Sequence, residues 1–131
     1  MIIDCVQRLP NILAYKDDLA TVYFSEICSK NLLLPTVPEG RNHTWQTFHL
    51  LLSETIDQKL AVEMLKKKNI GTNYGAQCIP SQTYYLNKYG LNAAALFPNA
   101  YRAYKKGLAI PIYERLTKDD ILYIAQTINQ L

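Results

Sequence analysis

Hydrophobic residues in the first thirty positions recur at intervals of three and four, which is typical of one face of an α-helix. The stripe comprises Ile12, Leu13, Lys16, Leu19, Ala20, Tyr23, Phe24 and Ile27. It predicts a helix over residues 1–30, in which Pro10 either makes a kink or marks the true start. Residues 31–43 lose this period and contain Pro35, Pro38 and Gly40, so they predict an extended linker.

Short strands and helices alternate over residues 44–131. The pattern predicts a strand over 44–52 with both faces partly covered and a short strand over 70–74. In the apolar run 108–113, Pro111 predicts either an edge strand or the end of a strand. Four helices are predicted between and after these strands. They run from an Asp57 cap to Lys66–Lys68, from a Ser81 cap to Gly90, from Asn99 to a C-terminal glycine at Gly107, and from a Thr117–Asp120 capping box through Ile128. Residues 91–96 are expected to form a loop.

The fold class predicted by this order is α+β, a small mostly antiparallel sheet covered by helices. At 131 residues the chain fits a single domain, 1–131. Within it we distinguish a connecting helix (1–30), a linker (31–43) and an α+β core (44–131).

Charge and cysteine content indicate which kinds of binding and which cellular compartment are expected for the chain. A formal charge of +3 is too small to indicate nucleic-acid binding by itself. The three cysteines, Cys5, Cys28 and Cys78, have no metal-binding spacing and favour a reducing compartment, so a cytoplasmic location is expected. No apolar run is long enough to cross a bilayer, and no membrane association or metal site is predicted.

The run Ile70–Tyr89 carries the most site-like chemistry. Gly71 and Gly75 allow turns or close approach, while Asn73, Tyr74, Gln77 and Ser81 supply neutral donors and acceptors. Because these four side chains are not the charged acid and base that most hydrolytic chemistry requires, the run favours a binding surface over a catalytic centre.

Several landmarks together resemble the C-terminal part of the DegT/StrS-type sugar aminotransferases, which are pyridoxal-phosphate enzymes with the aspartate-aminotransferase (type I) fold. The landmarks are Gln7–Pro10, the Leu34-Pro35 to Pro38 linker, His43-Thr44-Trp45 with Phe48, a lysine-ended helix before Ile70-Gly71-Thr72, Phe97-Pro98-Asn99-Ala100, Ile110-Pro111-Ile112-Tyr113 and Leu116-Thr117.

This resemblance implies amino transfer to a nucleotide-linked keto-sugar by a parent enzyme that is a homodimer. It also implies that the lysine forming the cofactor's Schiff base lies in a large domain absent from this chain. We therefore expect that the 131 residues alone do not transaminate and bind no pyridoxal phosphate. The expected contribution is one wall of the substrate pocket, with His43, Asn73, Tyr74 and Gln77 as substrate-binding candidates and no catalytic residue.

One stretch departs from the family pattern. Many members carry His-Tyr-x-x-x-His after the Ile-Gly-Thr strand, whereas the matching positions here are Gly75, Ala76 and Pro80. The departure predicts a roomier pocket with Gln77 as its polar group, and it leaves the sugar, the nucleotide and the amino donor open.

Competing interpretations remain. The chain could be a truncated or stand-alone interaction domain that dimerises through an exposed stripe on its first helix, including Leu13 and Ala20. Five tyrosines near Lys88, Arg102 and Lys105 could stack on nucleic-acid bases, but helical spacing favours core or half-buried packing for them; they are Tyr84, Tyr85, Tyr89, Tyr101 and Tyr104. Cys78 with His43 or His49 could form a nucleophile and base, but these residues lack a local signature and a structural role is favoured.

Overall fold

The computed structural model describes the backbone of residues 2–131 and the side chains of residues 6–131. Met1, the predicted first residue of the helix, and the Cys5 side chain lie outside this description. The helices are α1 (Ile2–Glu26), α2 (Gln58–Lys67), α3 (Thr83–Tyr89), α4 (Ala93–Leu96), α5 (Pro98–Lys106) and α6 (Lys118–Ile128). The strands are β1 (Leu32–Leu33), β2 (Phe48–Leu52) and β3 (Gly107–Ile110), and a 3-10 turn spans Ile79–Ser81.

The three strands form one antiparallel sheet in the order β1-β2-β3. Phe48, Leu50 and Leu52 of β2 are buried, while the residues between them are partly covered. Both faces of this central strand are therefore shielded, as its sequence predicts. The α+β class and the antiparallel sheet are confirmed.

Two predicted strand boundaries are wrong. Strand β2 begins at Phe48 rather than residue 44, because Trp45 has a left-handed backbone with φ of 46° and its N–H donates to His43 Nδ1 at 2.9 Å. The predicted linker contains β1, since Leu32 and Leu33 pair with Leu52 and Leu51.

Helix α1 continues through Pro10 and packs against α6. The expectation that the helix starts at Pro10 is therefore wrong. Its residues Leu19, Ala20, Tyr23 and Ile27 are buried and share a core with the sheet and with α6. The predicted stripe on this helix is thus a core-facing surface over much of its length.

The predicted caps of α2 and α6 are confirmed. The Asp57 side chain accepts a hydrogen bond from Leu60 N, and Lys66 and Lys67 lie in the last turn of α2. Thr117 and Asp120 form a reciprocal capping box at the start of α6. These local hydrogen bonds fix where both helices begin.

The region between α2 and β3 contains further differences. Gln82, not Ser81, caps α3, because Ser81 Oγ donates instead to Cys78 O at 2.7 Å within the 3-10 turn. Gly90 ends α3 in the left-handed conformation, as expected. The predicted loop 91–96 contains α4, whose first turn is capped by the Asn92 side chain. Among the described residues, no helix is both long and apolar enough to cross a membrane.

Candidate functional site

Residues 73–77, named here loop 73–77, begin at the edge of the sheet. Asn73 forms an isolated antiparallel bridge with Ala109 of β3, through backbone hydrogen bonds of 2.8 and 3.3 Å. Only this bridge remains of the strand predicted over 70–74. The loop therefore starts from a fixed point on β3.

The first turn of the loop is held by its own hydrogen bonds. Asn73 Oδ1 accepts from Gly75 N at 2.7 Å, and Tyr74 O accepts from Ala76 N at 2.8 Å. Gly75 has φ of 70°, a left-handed conformation that glycine adopts without steric cost. The side-chain oxygen of Asn73, one of the predicted substrate-binding residues, thus accepts a hydrogen bond within the loop.

His49 of β2 also belongs to this region, although it is not among the predicted substrate-binding residues. Its Nε2 lies 3.3 Å from Tyr74 O, and its ring fills the space beside Gly75 and Gly107. A β-carbon at Gly75 would overlap His49 Cδ2, and one at Gly107 would overlap His49 Nε2. The imidazole therefore packs directly between two glycines.

Gly107 directly follows the last residue of α5, as predicted. Its φ is −68°, it is buried, and it is the first residue of β3. A β-carbon there would also overlap Ala103 O and lie 2.8 Å from Tyr74 O. The close approach of backbone and imidazole explains why this position is a glycine, since its φ does not require one.

Tyr74 and Gln77 present their side chains outward. Tyr74 is 41% exposed and Gln77 is also exposed. Both are therefore placed where an external molecule could reach them. Tyr74 O is bound within the protein while the Tyr74 ring remains accessible.

His43 lies in a different environment from loop 73–77. Its ring centroid is 4.2 Å from that of Trp45, and it lies in a groove of about 550 Å³. The groove is lined by Leu13, Ala14, Asp17, Phe24, Val37, Arg41, Asn42, His43, Thr44 and Trp45. The four predicted substrate-binding residues thus divide into the loop and a separate groove beside α1.

The tyrosine prediction is wrong for α3, a helix without a buried residue. Tyr84 and Tyr89 are 61% and 57% exposed, so they are not half-buried packing residues. Lys88 Nζ donates to Tyr84 Oη at 2.9 Å and lies over both rings. Tyr101 and Tyr104, by contrast, are partly buried as expected.

The segment of the chain that contains loop 73–77 is rich in positive charge. From Met64 to Tyr113 the chain has no aspartate or glutamate, but it has seven cations, Lys66, Lys67, Lys68, Lys88, Arg102, Lys105 and Lys106. Glu54 pairs with two of them, Arg102 at 3.5 Å and Lys106 at 3.8 Å. An excess of positive charge along this segment favours anionic groups near it.

The described residues do not fit a pyridoxal phosphate site. Such a site needs a lysine amine held next to the cofactor aldehyde, and a carboxylate that pairs with the pyridinium nitrogen. Among the described side chains no lysine and no carboxylate is buried. Lys16 Nζ donates to Trp45 O, and Lys106 Nζ donates to Glu54 O and Ile56 O.

Other chemistry is not assembled in the described part of the chain. It contains no group of three or more histidine, cysteine, aspartate or glutamate side chains able to hold a metal. Cys78, considered above as a nucleophile, is buried at 1% exposure. The arrangement is therefore suited to binding through loop 73–77.

Comparison with protein families gives one match over nearly the whole chain. The model of the DegT/DnrJ/EryC1/StrS aminotransferase family matches residues 1–129. The spore coat polysaccharide biosynthesis protein SpsC of Bacillus subtilis is 26% identical over 133 residues, covering 96% of this chain and 33% of SpsC. An uncharacterised protein of Methanocaldococcus jannaschii is 27% identical over 120 residues, covering 88% of this chain and 31% of that protein.

Solved structures share the fold. Spr1654 of Streptococcus pneumoniae, known in apo, PLP and PMP forms, superposes on 98% of this chain and 32% of its own apo-form chain, with a TM-score of 0.87 and 20% identity. PseC of Helicobacter pylori, an aminotransferase of pseudoaminic acid biosynthesis, gives a TM-score of 0.87 at 15% identity, covering 98% of this chain and 34% of PseC. This chain thus spans about a third of the relatives it matches.

Proposed function

This chain belongs to the DegT/DnrJ/EryC1/StrS aminotransferase family, and we propose that loop 73–77 forms one wall of a pocket for a nucleotide-linked keto-sugar. The observation that carries the proposal is a loop with a fixed backbone and exposed polar side chains at Tyr74 and Gln77. A fixed loop loses little conformational entropy when a ligand binds. Tyrosine adds a flat apolar face with a hydroxyl, and glutamine adds both a donor and an acceptor.

The whole enzyme is proposed to transfer an amino group to the sugar. When bound in such an enzyme, pyridoxal phosphate supplies the electron sink for that transfer. Because the described residues do not fit the cofactor, we assign its binding and the reacting lysine to a large domain outside this chain. The residues of this chain would orient the sugar-nucleotide and exclude water from one side of it.

Charge supports a nucleotide as the attached group. The segment from Met64 to Tyr113, which contains the loop, carries cations without carboxylates. A nucleoside diphosphate is anionic, so this excess of positive charge would attract it. The relative SpsC is a spore coat polysaccharide biosynthesis protein, which is consistent with a sugar substrate for this family member. We also propose a cytoplasmic location and a homodimeric parent enzyme.

The proposal is tested by titrating the chain with UDP-N-acetylglucosamine and dTDP-glucose. We expect weak binding of one of them, with a Kd on the order of 1 mM because one wall supplies only part of the contacts. Tyr74→Ala and Gln77→Ala should each weaken it, whereas Tyr113→Ala, which removes a tyrosine that is 50% exposed elsewhere, should not. Equal effects of all three substitutions would contradict the proposal.

A second candidate is a protein-interaction domain, favoured by the surface of α3 and α4. Seven large apolar side chains between residues 79 and 97 are exposed, and they are Ile79, Tyr84, Tyr85, Leu86, Tyr89, Leu96 and Phe97. The stripe on α1 does not serve this role as predicted, because Ala20 is 1% exposed and Leu13 is partly covered.

The exposed apolar side chains of α3, α4 and their flanking residues suit association better, because apolar surface patches are typical of association sites. Sedimentation at rising concentration should show self-association that Tyr84→Glu weakens; a monomer throughout would count against it.

A further inference from the structure

The His49 side chain reaches loop 73–77 from the opposite side of strand β3. His49 pairs with Ala109 from β2, while the Ala109 backbone hydrogen-bonds to Asn73 on its other edge. The His49 Nε2 nevertheless lies 3.3 Å from Tyr74 O. The imidazole therefore crosses β3 to contact the loop.

Two glycines make the crossing possible. A β-carbon at Gly107 would overlap His49 Nε2, so the glycine leaves room for the ring to lie over this face of β3. A β-carbon at Gly75 would overlap His49 Cδ2 and lie 3.0 Å from Ala109 Cβ. The ring is therefore enclosed by the strand on one side and the loop on the other.

The contact between His49 and Tyr74 requires a proton on Nε2. A carbonyl oxygen only accepts, so His49 must donate, either as the neutral Nε2–H tautomer or as the imidazolium. Tyr74 O also accepts from Ala76 N at 2.8 Å, and a carbonyl has two lone pairs to serve both donors. The turn over Tyr74–Ala76 is thus tied to the sheet by one side chain.

We infer that His49 is a positioning residue, which sets the conformation of loop 73–77 so that Tyr74 and Gln77 face the ligand. The inference rests on the proposed function for what the loop binds, but the contact itself does not. His49 would act through Tyr74 O and Gly75 without touching the ligand. The substrate class concerned is a nucleotide-linked sugar.

The test is amide hydrogen exchange of the chain, followed by NMR. His49→Leu keeps apolar bulk but removes the donor, so exchange at Ala76 should rise roughly three- to tenfold, the factor expected for one lost hydrogen bond. The amides of Leu50 and Leu108, which face each other in the sheet, should change by less than about twofold. His49→Gln, which can donate, should restore at least part of the protection.

A second variant keeps the inference testable if His49→Leu does not fold. Gly75→Ala keeps the histidine but places a methyl group where the ring lies, so it should also speed exchange at Ala76. Unchanged Ala76 exchange in both variants would overturn the inference, as would equal exchange in His49→Leu and His49→Gln.

Ligand binding separates this inference from the proposed function. If His49 positions the loop of a sugar-nucleotide site, the affinity for UDP-N-acetylglucosamine or dTDP-glucose should fall severalfold in His49→Leu and recover in His49→Gln. If exchange changes as expected but the unmodified chain binds neither ligand, the proposed function fails while the role of His49 in the loop stands.

Discussion

The imidazole of His49 occupies the space that a side chain at Gly75 would need, so these two positions constrain each other. Gly75 also has φ of 70°, which disfavours any side chain there. Position 75 thus favours glycine strongly while His49 stays in place. This pair fixes the shape of the proposed binding loop.

Gly75→Ala should destabilise the fold more than Gly40→Ala. Both glycines have nearly the same left-handed φ, 70° and 72°, but only Gly75 has atoms near its β-carbon position. We expect about 1–2 kcal/mol for Gly40→Ala from backbone strain and about 1–3 kcal/mol more for Gly75→Ala from overlap. Urea unfolding measures both. In a His49→Ala background most of the extra cost should disappear, because only the close approach to Ala109 Cβ then remains; full persistence of the cost would show that the ring is not its source.

Asp17→Ala should destabilise the chain by about 1–3 kcal/mol, because it leaves a buried donor without its acceptor. Trp45 is 3% exposed, and its Nε1 donates to Asp17 Oδ1 at 2.9 Å. Urea unfolding followed by the fluorescence of this single tryptophan reports the loss. Asp18→Ala is the control, since it removes the adjacent exposed carboxylate, and an equal loss there would point to charge rather than to the hydrogen bond.

The capping box should give α6 a stability contribution that disappears in acid. Hydrogen bonds from Thr117, from its backbone N–H and then its hydroxyl, lower the pKa of Asp120. Folding lowers the pKa of Asp120. Its contribution to the free energy of unfolding is therefore fully present when the pH is above the carboxyl's ordinary pKa. It is lost as the pH falls through the lowered pKa of the folded state. Asp120→Asn should therefore be less stable than the unmodified chain at pH 7, and the two should converge in acid. Asp119→Asn controls for charge in the first turn; convergence only for that variant would contradict the prediction.

Tyr23→Phe should cost about 1 kcal/mol, the net value of a neutral hydrogen bond. Tyr23 is fully buried, and its hydroxyl donates to Pro111 O at 2.7 Å. Burial raises the pKa of Tyr23, with smaller effects from Tyr113 and Asp120. Because the pKa is higher in the folded state, the stabilisation from the Tyr23 hydroxyl is complete at pH values below the unfolded-state pKa of about 10. It is lost as the pH rises towards the folded-state pKa. Unfolding at pH 7 and pH 11 should show a smaller difference at the higher pH; an unchanged difference would contradict this account.

The features that the sequence predicts well are local. Asp57, Thr117 and Asp120 form their caps with backbone groups three residues away, so the residue types alone identify them. Strand β1 is different, because two leucines become a strand only by pairing with Leu51 and Leu52. Helix α4 has four residues, too few for a periodic pattern.

In the candidate site, too, the sequence predicts local features but not contacts between residues far apart in the chain. Glycines and polar side chains indicated the loop, and the structure places Asn73 and Tyr74 in one turn. His49, however, meets Tyr74 from a strand 25 positions earlier, and Gly107 makes room for it from another strand. Such non-local contacts leave no spacing for a single sequence to reveal. His43 shared the polar chemistry but lies in the groove beside α1.

The central claim is that loop 73–77 contacts a nucleotide-linked sugar, and chemical-shift mapping by NMR tests it most directly. On adding UDP-N-acetylglucosamine or dTDP-glucose to the labelled chain, we predict that the largest saturable shifts lie at Tyr74, Gly75 and Gln77. Saturable shifts confined to the groove around His43 and Trp45, or the absence of saturable shifts with both ligands, would contradict the claim.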